Sequence, residues 1–396
     1  MKAAIIGASK EALHTIEKAH GYGIKIVALD GDPHAPGLGE ADRSMTVDIS
    51  DEGAVIEALR GEKPDFVLTV PIGRYLTTIG AVNDALGLPG ITRQMAVLCT
   101  DKFRFHQKLN RAGLRSCRCY EVSGGRILDG EGAACFGERA KEAPVSFPAI
   151  LKPRFGSGSR GVYMLPDRQQ LKEALAGISG EAYVLEECIA GEEYGVDGAV
   201  TKDGFHMVLL RRKKNTPPPV RQAVGYFSVL LQEDFYKQVR EYMEKAVACL
   251  GLGECLVHGD IIRGEAGPFL IELSARPSGH HLHDLFTPLC TGIDLAEEYM
   301  KYRMGLSYRF APGKVRSMMI HYFDIQGRVG RVPGREQAEQ AAGVRFAAWE
   351  CHIKKGEELK PVSDGHSLMG RGYFVLEGED RLWLEEKAGT VRGLFF

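Results

Sequence analysis

The sequence predicts a multidomain α/β protein that opens with a doubly wound parallel sheet and closes with a small β-rich domain. Three observations carry this: a strand–helix–strand unit at the start, alternating strands joined by a short hairpin in the middle, and a change to short alternating strands after Pro312. A chain of 396 residues exceeds one ordinary domain. We expect an N-terminal α/β domain over 1–100, a central domain over 101–310 with a lid at about 115–188, and a β-rich domain over 311–396.

The elements follow in order. Residues 3–6 read as a strand, the amphipathic run to Ala19 as a helix and residues 24–29 as a second strand, which together make a βαβ unit. Strands at 45–48 and 65–70, with a helix over 52–60 between them, continue a parallel sheet. Gly7 lacks the second and third glycines of a dinucleotide fingerprint, so Asp30 at a strand end is weak evidence for NAD. A helix from Asp101 to Ala112 is closed by Gly113 at the usual C-cap position. The lid is expected as a strand at 119–122, a Gly-rich loop, a helix over 133–141 and a strand at 147–152. Strands follow at 182–186 and 193–197, then a hairpin pairs 257–262 with 269–273.

Composition narrows the function classes. Fifty basic against fifty-two acidic residues leave a net charge of -2, so no global field draws the chain to nucleic acid. No apolar run approaches the roughly 20 residues that span a bilayer. The start leads directly into a strand without a secretory pattern, which predicts a cytoplasmic protein. Nine scattered cysteines without metal or redox spacing read as reduced thiols, mostly in the core. The local run Arg211-Arg-Lys-Lys214, with Arg221 beyond it, reads either as a solvated turn or as a holder of phosphate or carboxylate groups.

Three segments carry chemistry. Lys152 ends a strand and is followed by Gly156, Ser157, Gly158, Ser159 and Gly161, small residues whose backbone N–H groups can approach phosphate oxygens; a plain Gly-Ser hairpin turn is the alternative. Asp260 and Glu272 lie on the two strands of the hairpin, where a cation such as magnesium would relieve their repulsion; two exposed acids are the alternative. Residues 183–189 form a strand running into a turn with Glu186 and Glu187 at its end, suited to holding an adenine but weak alone.

In this order the three segments resemble the ATP-grasp superfamily, more closely its branch with biotin carboxylase, carbamoyl phosphate synthetase and the amino-acid ligases, over residues 2–306. The resemblance implies a pre-ATP-grasp domain, an ATP-grasp domain with its lid, and the small C-terminal domain. It implies that Lys102 and Lys152 bind ATP phosphates under the loop from Gly156 to Gly161, that Glu186, Glu187 and Ile189 grip adenine, and that Glu193 holds the ribose. Asp260 and Glu272 would bind magnesium, with manganese as the alternative, and Arg276 would steady an acyl phosphate. Two positions depart from the family: Ser274, expected as a shorter and weaker oxygen ligand to the metal, stands where many members have a metal-binding asparagine, and His280 where biotin carboxylase has a glutamate base. His280 then reads as a substrate contact or general base in preference to a metal ligand, with an ordinary loop histidine as the competing reading.

The implied activity is an ATP-dependent carboxylate–amine ligase, in which a carboxylate becomes an acyl phosphate and an amine displaces phosphate to form an amide. An amino-acid ligase is one form of it. The alternatives are a bicarbonate-activating carboxylase, disfavoured by His280, and a non-catalytic ATP-binding sensor, against which Lys152, Asp260, Glu272 and Arg276 stand. The partners are then a small carboxylate and a small amine, and the resemblance admits a homodimer.

Overall fold

Strands β1 (Lys2–Ile6), β2 (Lys25–Asp30), β3 (Arg43–Thr46) and β4 (Phe66–Val67) form a parallel sheet in the order β3-β2-β1-β4. The near-continuous apolar runs of β1 and β2 are buried, as a sheet covered on both faces requires. The helix Glu52–Arg60 is capped by Asp51, whose side chain accepts from Ala54 N at 3.0 Å. Asp30 accepts from Ala8 N at 2.6 Å and Asp32 N at 2.9 Å, so its carboxylate braces the turn beside the strand end. The computed structural model describes residues 1–73, 75–128, 134–136, 145–156, 161–178, 180–217 and 221–396.

The second sheet is antiparallel and contains β5 (Cys119–Ser123), β6 (Arg126–Leu128), β7 (Ala134–Phe136), β8 (Ala149–Pro153), β9 (Tyr163–Leu165) and β10 (Tyr183–Glu187). Its order is β7-β6-β5-β10-β8-β9. The helix expected over 133–141 is corrected here: β7 occupies part of that run and pairs with β6, because a free strand edge offers backbone partners that outweigh a local helix preference. The remainder of that run lies outside the described residues. Leu171 and Leu175 of the helix Arg168–Gly177 share an apolar cluster with Val122, Leu151 and Leu185 of this sheet.

The third sheet is the largest. Its members are β11 (Glu192–Thr201), β12 (Gly204–Asn215), β13 (Ala223–Ser228), β14 (Cys255–Gly264), β15 (Gly267–Ser274) and β16 (Met318–Tyr322). Beyond β17 (Gly327–Arg328), β18 (Phe346–Cys351), β19 (Glu358–Leu359) and β20 (Gly372–Glu377) complete the chain's strands among the described residues. The order is β15-β14-β11-β12-β13-β16-β20-β18, while β17 and β19 pair separately. The C-terminal strands therefore extend the central sheet. Three helices, Arg335–Ala342, Gly365–Met369 and Arg381–Gly393, are interleaved with them, so the segment after Pro312 is less purely β than its alternation predicts.

One apolar cluster runs from Ile6 and Leu29 through Ile79 and Phe105 to Val257 and Leu273. It packs the first sheet, the helix Lys102–Arg111 and the β14–β15 hairpin together. That helix also packs against β5 of the second sheet, so it joins the core to one wall of the cleft described next.

Candidate functional site

A cavity of about 460 Å3 opens between the second sheet and the β14–β15 hairpin. Lys102, Lys152, Gly156, Glu186, Glu187, Ile189, Glu193, Asp260 and Glu272 all line it, so most residues singled out in the sequence come together. Gly161 lies beside Pro153 and Tyr183, and Ser157, Gly158 and Ser159 lie outside the described residues. Ser274, Arg276 and His280 do not line the cavity.

Strand geometry explains the first wall. Antiparallel pairing sets Val184 opposite Lys152 and Glu186 opposite Ile150, which makes Lys152 and Glu186 diagonal neighbours on one face. Lys152 Nζ lies 2.7 Å from Glu186 Oε2, and His106 Nε2 lies 3.0 Å from Glu186 Oε1. Burial alone would push the Glu186 carboxyl up, but Lys152 and His106 outweigh it and hold it at about 2. Burial likewise opposes charge on Lys152, yet the Glu186 carboxylate raises it well above the usual lysine range. The Glu186 side chain is thus engaged with Lys152 and His106 in the wall of the cavity it lines. Lys102 donates to the Gly156 carbonyl at 2.7 Å, and burial draws it below the usual lysine range.

The second wall follows from the period-two alternation of the large sheet. Register puts Glu193, Asp197, Arg211, Lys213, His258, Asp260, Glu272 and Ser274 on one face. Asp260 and Glu272 are directly opposed. Lys213 Nζ lies 2.8 Å from Asp260 Oδ1; burial would raise the Asp260 carboxyl, but Lys213 and then His258 bring it below the ordinary range. Glu193 pairs with Arg221. Ser274 sits opposite His258, two pairs beyond the facing acids and on the same face.

Behind this wall stands a dry polar post. Asp197 receives Arg211 Nη2 at 3.0 Å, Ser278 Oγ at 3.0 Å, Thr287 Oγ1 at 3.2 Å and His258 Nδ1 at 3.1 Å. Burial would raise its carboxyl, but Arg211 and His258 depress it strongly. His258 Nε2 then lies 3.7 Å from Asp260, which ties the post to the cavity wall.

The loop after β15 is built differently. Arg276 is half-buried; desolvation lowers its pKa against the opposing pull of Glu272, and its Nη1 donates to the Pro277 carbonyl at 2.7 Å. His280 and His281 have φ of 60° and 56°, a left-handed backbone that non-glycine residues hold only where contacts enforce it. The contacts are visible: His280 N donates to Glu11 Oε1 at 2.9 Å, and Tyr322 OH donates to the His280 carbonyl at 2.5 Å. A Cβ on Gly365 would meet the His280 ring at 2.8 Å, so that glycine is what lets the C-terminal segment approach.

Sequence reasoning passed over His106 and treated Lys213 and Arg221 only as parts of a basic run. The missed signal is alternation within Arg211-Arg-Lys-Lys214, which sends Arg211 and Lys213 to the same face and leaves Arg212 and Lys214 on the other. Cys117, Cys188 and Ser363 also line the cavity and carried no signal of their own.

Among the described residues no helix is long and apolar enough to cross a membrane. Residues 145–283 match the family model described as an ATP-grasp domain. Over 320 residues the chain is 24% identical to the uncharacterized protein y4rH of Sinorhizobium fredii, covering 78% of this chain and 63% of that protein. It is 29% identical over 295 residues to carnosine synthase 1 of Gallus gallus, covering 68% of this chain and 31% of that protein. The chain therefore spans less than two thirds of the length of these relatives. The crystal structure of L-amino acid ligase from Bacillus licheniformis is similar with a TM-score of 0.78 at 20% identity, over 98% of this chain and 97% of that one. The fold is that of the ATP-grasp ligases.

Proposed function

We propose that this chain is an ATP-dependent carboxylate–amine ligase that acts on amino acids or similarly small acids and amines. The observation that carries the reading is the cavity itself: Lys102 and Lys152 on one wall face Asp260 and Glu272 on the other, inside an ATP-grasp fold. Likeness to the L-amino acid ligase structure and to carnosine synthase 1 supports amino-acid substrates.

In this reading the two lysines take the phosphate oxygens, Ile150, Met164, Ile189 and Ile262 hold the adenine, and Glu193 accepts from the ribose hydroxyls. The paired acids suit a hard divalent cation, because both offer carboxylate oxygen across a single strand pair. Asp260 and Glu272 would hold magnesium, or manganese in its place, and the ion would supply positive charge at the phosphate being transferred. Arg276, half-buried and within the electrostatic reach of Glu272, balances charge on the acyl phosphate.

The chemistry balances in two steps. A carboxylate oxygen attacks the γ-phosphorus of ATP and ADP leaves; the amine nitrogen then attacks the acyl carbon, phosphate leaves, and a proton is released as the amide forms. The cavity walls contribute alignment and exclude water that would hydrolyse the acyl phosphate.

The test is nucleotide release from magnesium ATP with amino acids and small acids offered singly and in pairs, with and without bicarbonate. The reading predicts ADP only when an acid and an amine are both present. AMP with pyrophosphate, or a requirement for bicarbonate, would contradict it.

A further inference from the structure

A buried line of polar atoms runs from the hairpin to Lys152. Ser116 Oγ donates to the Leu270 carbonyl on β15 at 3.2 Å and lies 2.6 Å from His106 Nδ1. His106 Nε2 stands 3.0 Å from Glu186 Oε1, and the other oxygen of that carboxylate stands 2.7 Å from Lys152 Nζ. His106 is 0% exposed, Glu186 2% and Lys152 7%. His106 Nε2 and Glu186 Oε1 are both buried and neither makes a hydrogen bond among the described residues, which leaves the 3.0 Å ion-pair contact between them as the polar contact each has.

We infer that His106 is a positioning residue: it fixes the Glu186 carboxylate, and through it the direction in which Lys152 presents its ammonium to the phosphate end of the cleft. The inference rests on the reading of the cavity as a nucleotide site. A lysine ammonium on a four-carbon stem has no intrinsic direction, and a carboxylate held at one oxygen only is free to turn. Held at both oxygens, by His106 and Lys152, the carboxylate has one orientation.

The placement of His106 adds a second consequence. It lies four residues after Lys102 on the helix Lys102–Arg111, hence on the same helical face. One rigid helix therefore sets Lys102 directly and Lys152 through Glu186, which coordinates the two phosphate-facing cations in space. Ser116 anchors the far side of the imidazole to the hairpin that carries Glu272, so the line also connects the two walls.

Cys117 lies close enough to complete a three-donor group with His106 and Glu186, the donor atoms all within 4.8 Å. A dication there would sit against the Lys152 ammonium, and burial holds the Cys117 thiol well above its usual range. The group serves the lysine in preference to a metal.

Calorimetric binding of ADP and of adenosine to the wild-type protein, His106→Leu, His106→Gln and Ser116→Ala separates positioning from general damage, because only ADP carries phosphate. We expect His106→Leu to weaken ADP about tenfold or more while adenosine changes less than about twofold. Glutamine at 106, which can still donate to Glu186, should recover part of the loss, and Ser116→Ala should show a smaller loss confined to ADP. Equal weakening of both ligands, or no change in either, overturns the inference. Should the position 106 variants not fold, the ADP-to-adenosine affinity ratio of Ser116→Ala decides: a lowered ratio supports positioning and an unchanged one overturns it. A wild-type protein that binds adenosine no more weakly than ADP would instead contradict the nucleotide reading, and the inference would fall with it.

Discussion

Two lysine–carboxylate pairs stand on opposite walls of the cleft at nearly equal distances, Lys152–Glu186 at 2.7 Å and Lys213–Asp260 at 2.8 Å. Their surroundings differ. On the first wall the side chains are 9% and 3% exposed; on the second Lys213 is 12% and Asp260 34% exposed. Separating the first pair would strand two charges in a dry interior, whereas Asp260 keeps about a third of its side chain open to water even though the oxygen facing Lys213 is covered. Equal geometry is thus compatible with two roles: a fixed scaffold on one side and, in the proposed reading, a carboxylate that would exchange its lysine for a metal ion on the other. Burial makes the difference.

The largest effect that would sharpen this contrast is on turnover. Glu272→Gln removes the acid opposite Asp260, and the rate of ADP formation should fall by roughly 100-fold or more while ADP binding changes little. Retained activity would break the distinction between the walls. Next comes stability: Glu186→Gln leaves Lys152 buried without its counter-charge, at a cost of about 3–5 kcal/mol, read as a fall in the thermal unfolding midpoint. A loss near that of an exposed pair would make the two walls equivalent.

The same carboxylate predicts a pH dependence. Glu186 is held at about 2, below its ordinary 4.5, so the folded protein binds this proton less readily than the unfolded chain. Its contribution is fully present above 4.5 and is lost as pH falls from there toward about 2. Wild type should therefore lose more stability than Glu186→Gln over that interval, measured by thermal unfolding at stepped pH; parallel losses would contradict the assignment. The smallest effect belongs to Lys213→Met, which should shift stability by about 1 kcal/mol or less and tighten manganese binding in the absence of nucleotide, followed by the ion's paramagnetic signal. Weaker manganese binding would show that Lys213 supports the metal site instead of competing for it.

How much of this was legible in the sequence depends on the range of the interactions. The parallel sheet, the helix closed by Gly113 and the β14–β15 hairpin were readable because alternation and caps are local. Asp260 and Glu272 were readable as opposed acids because a short turn fixes the register. The inward turn of Glu186 was not, since it depends on β8 and β10 pairing across more than thirty residues. His106 looked like any helical residue until tertiary packing brought Ser116 and Glu186 against it. The C-terminal helices did leave local marks: Asp380 caps Arg381–Gly393 by accepting from Trp383 N, and Arg335 pairs with Glu339 one turn on. The conspicuous alternation of β16 and β20 obscured them.

Transfer of oxygen is the most direct test of the central claim that this fold activates a carboxylate as an acyl phosphate. An acid labelled with oxygen-18 in its carboxylate would be turned over with magnesium ATP and an amine, and the released phosphate examined by mass spectrometry. Label in the phosphate, one atom per turnover, is the predicted result; unlabelled phosphate, or label appearing in AMP, would contradict the account.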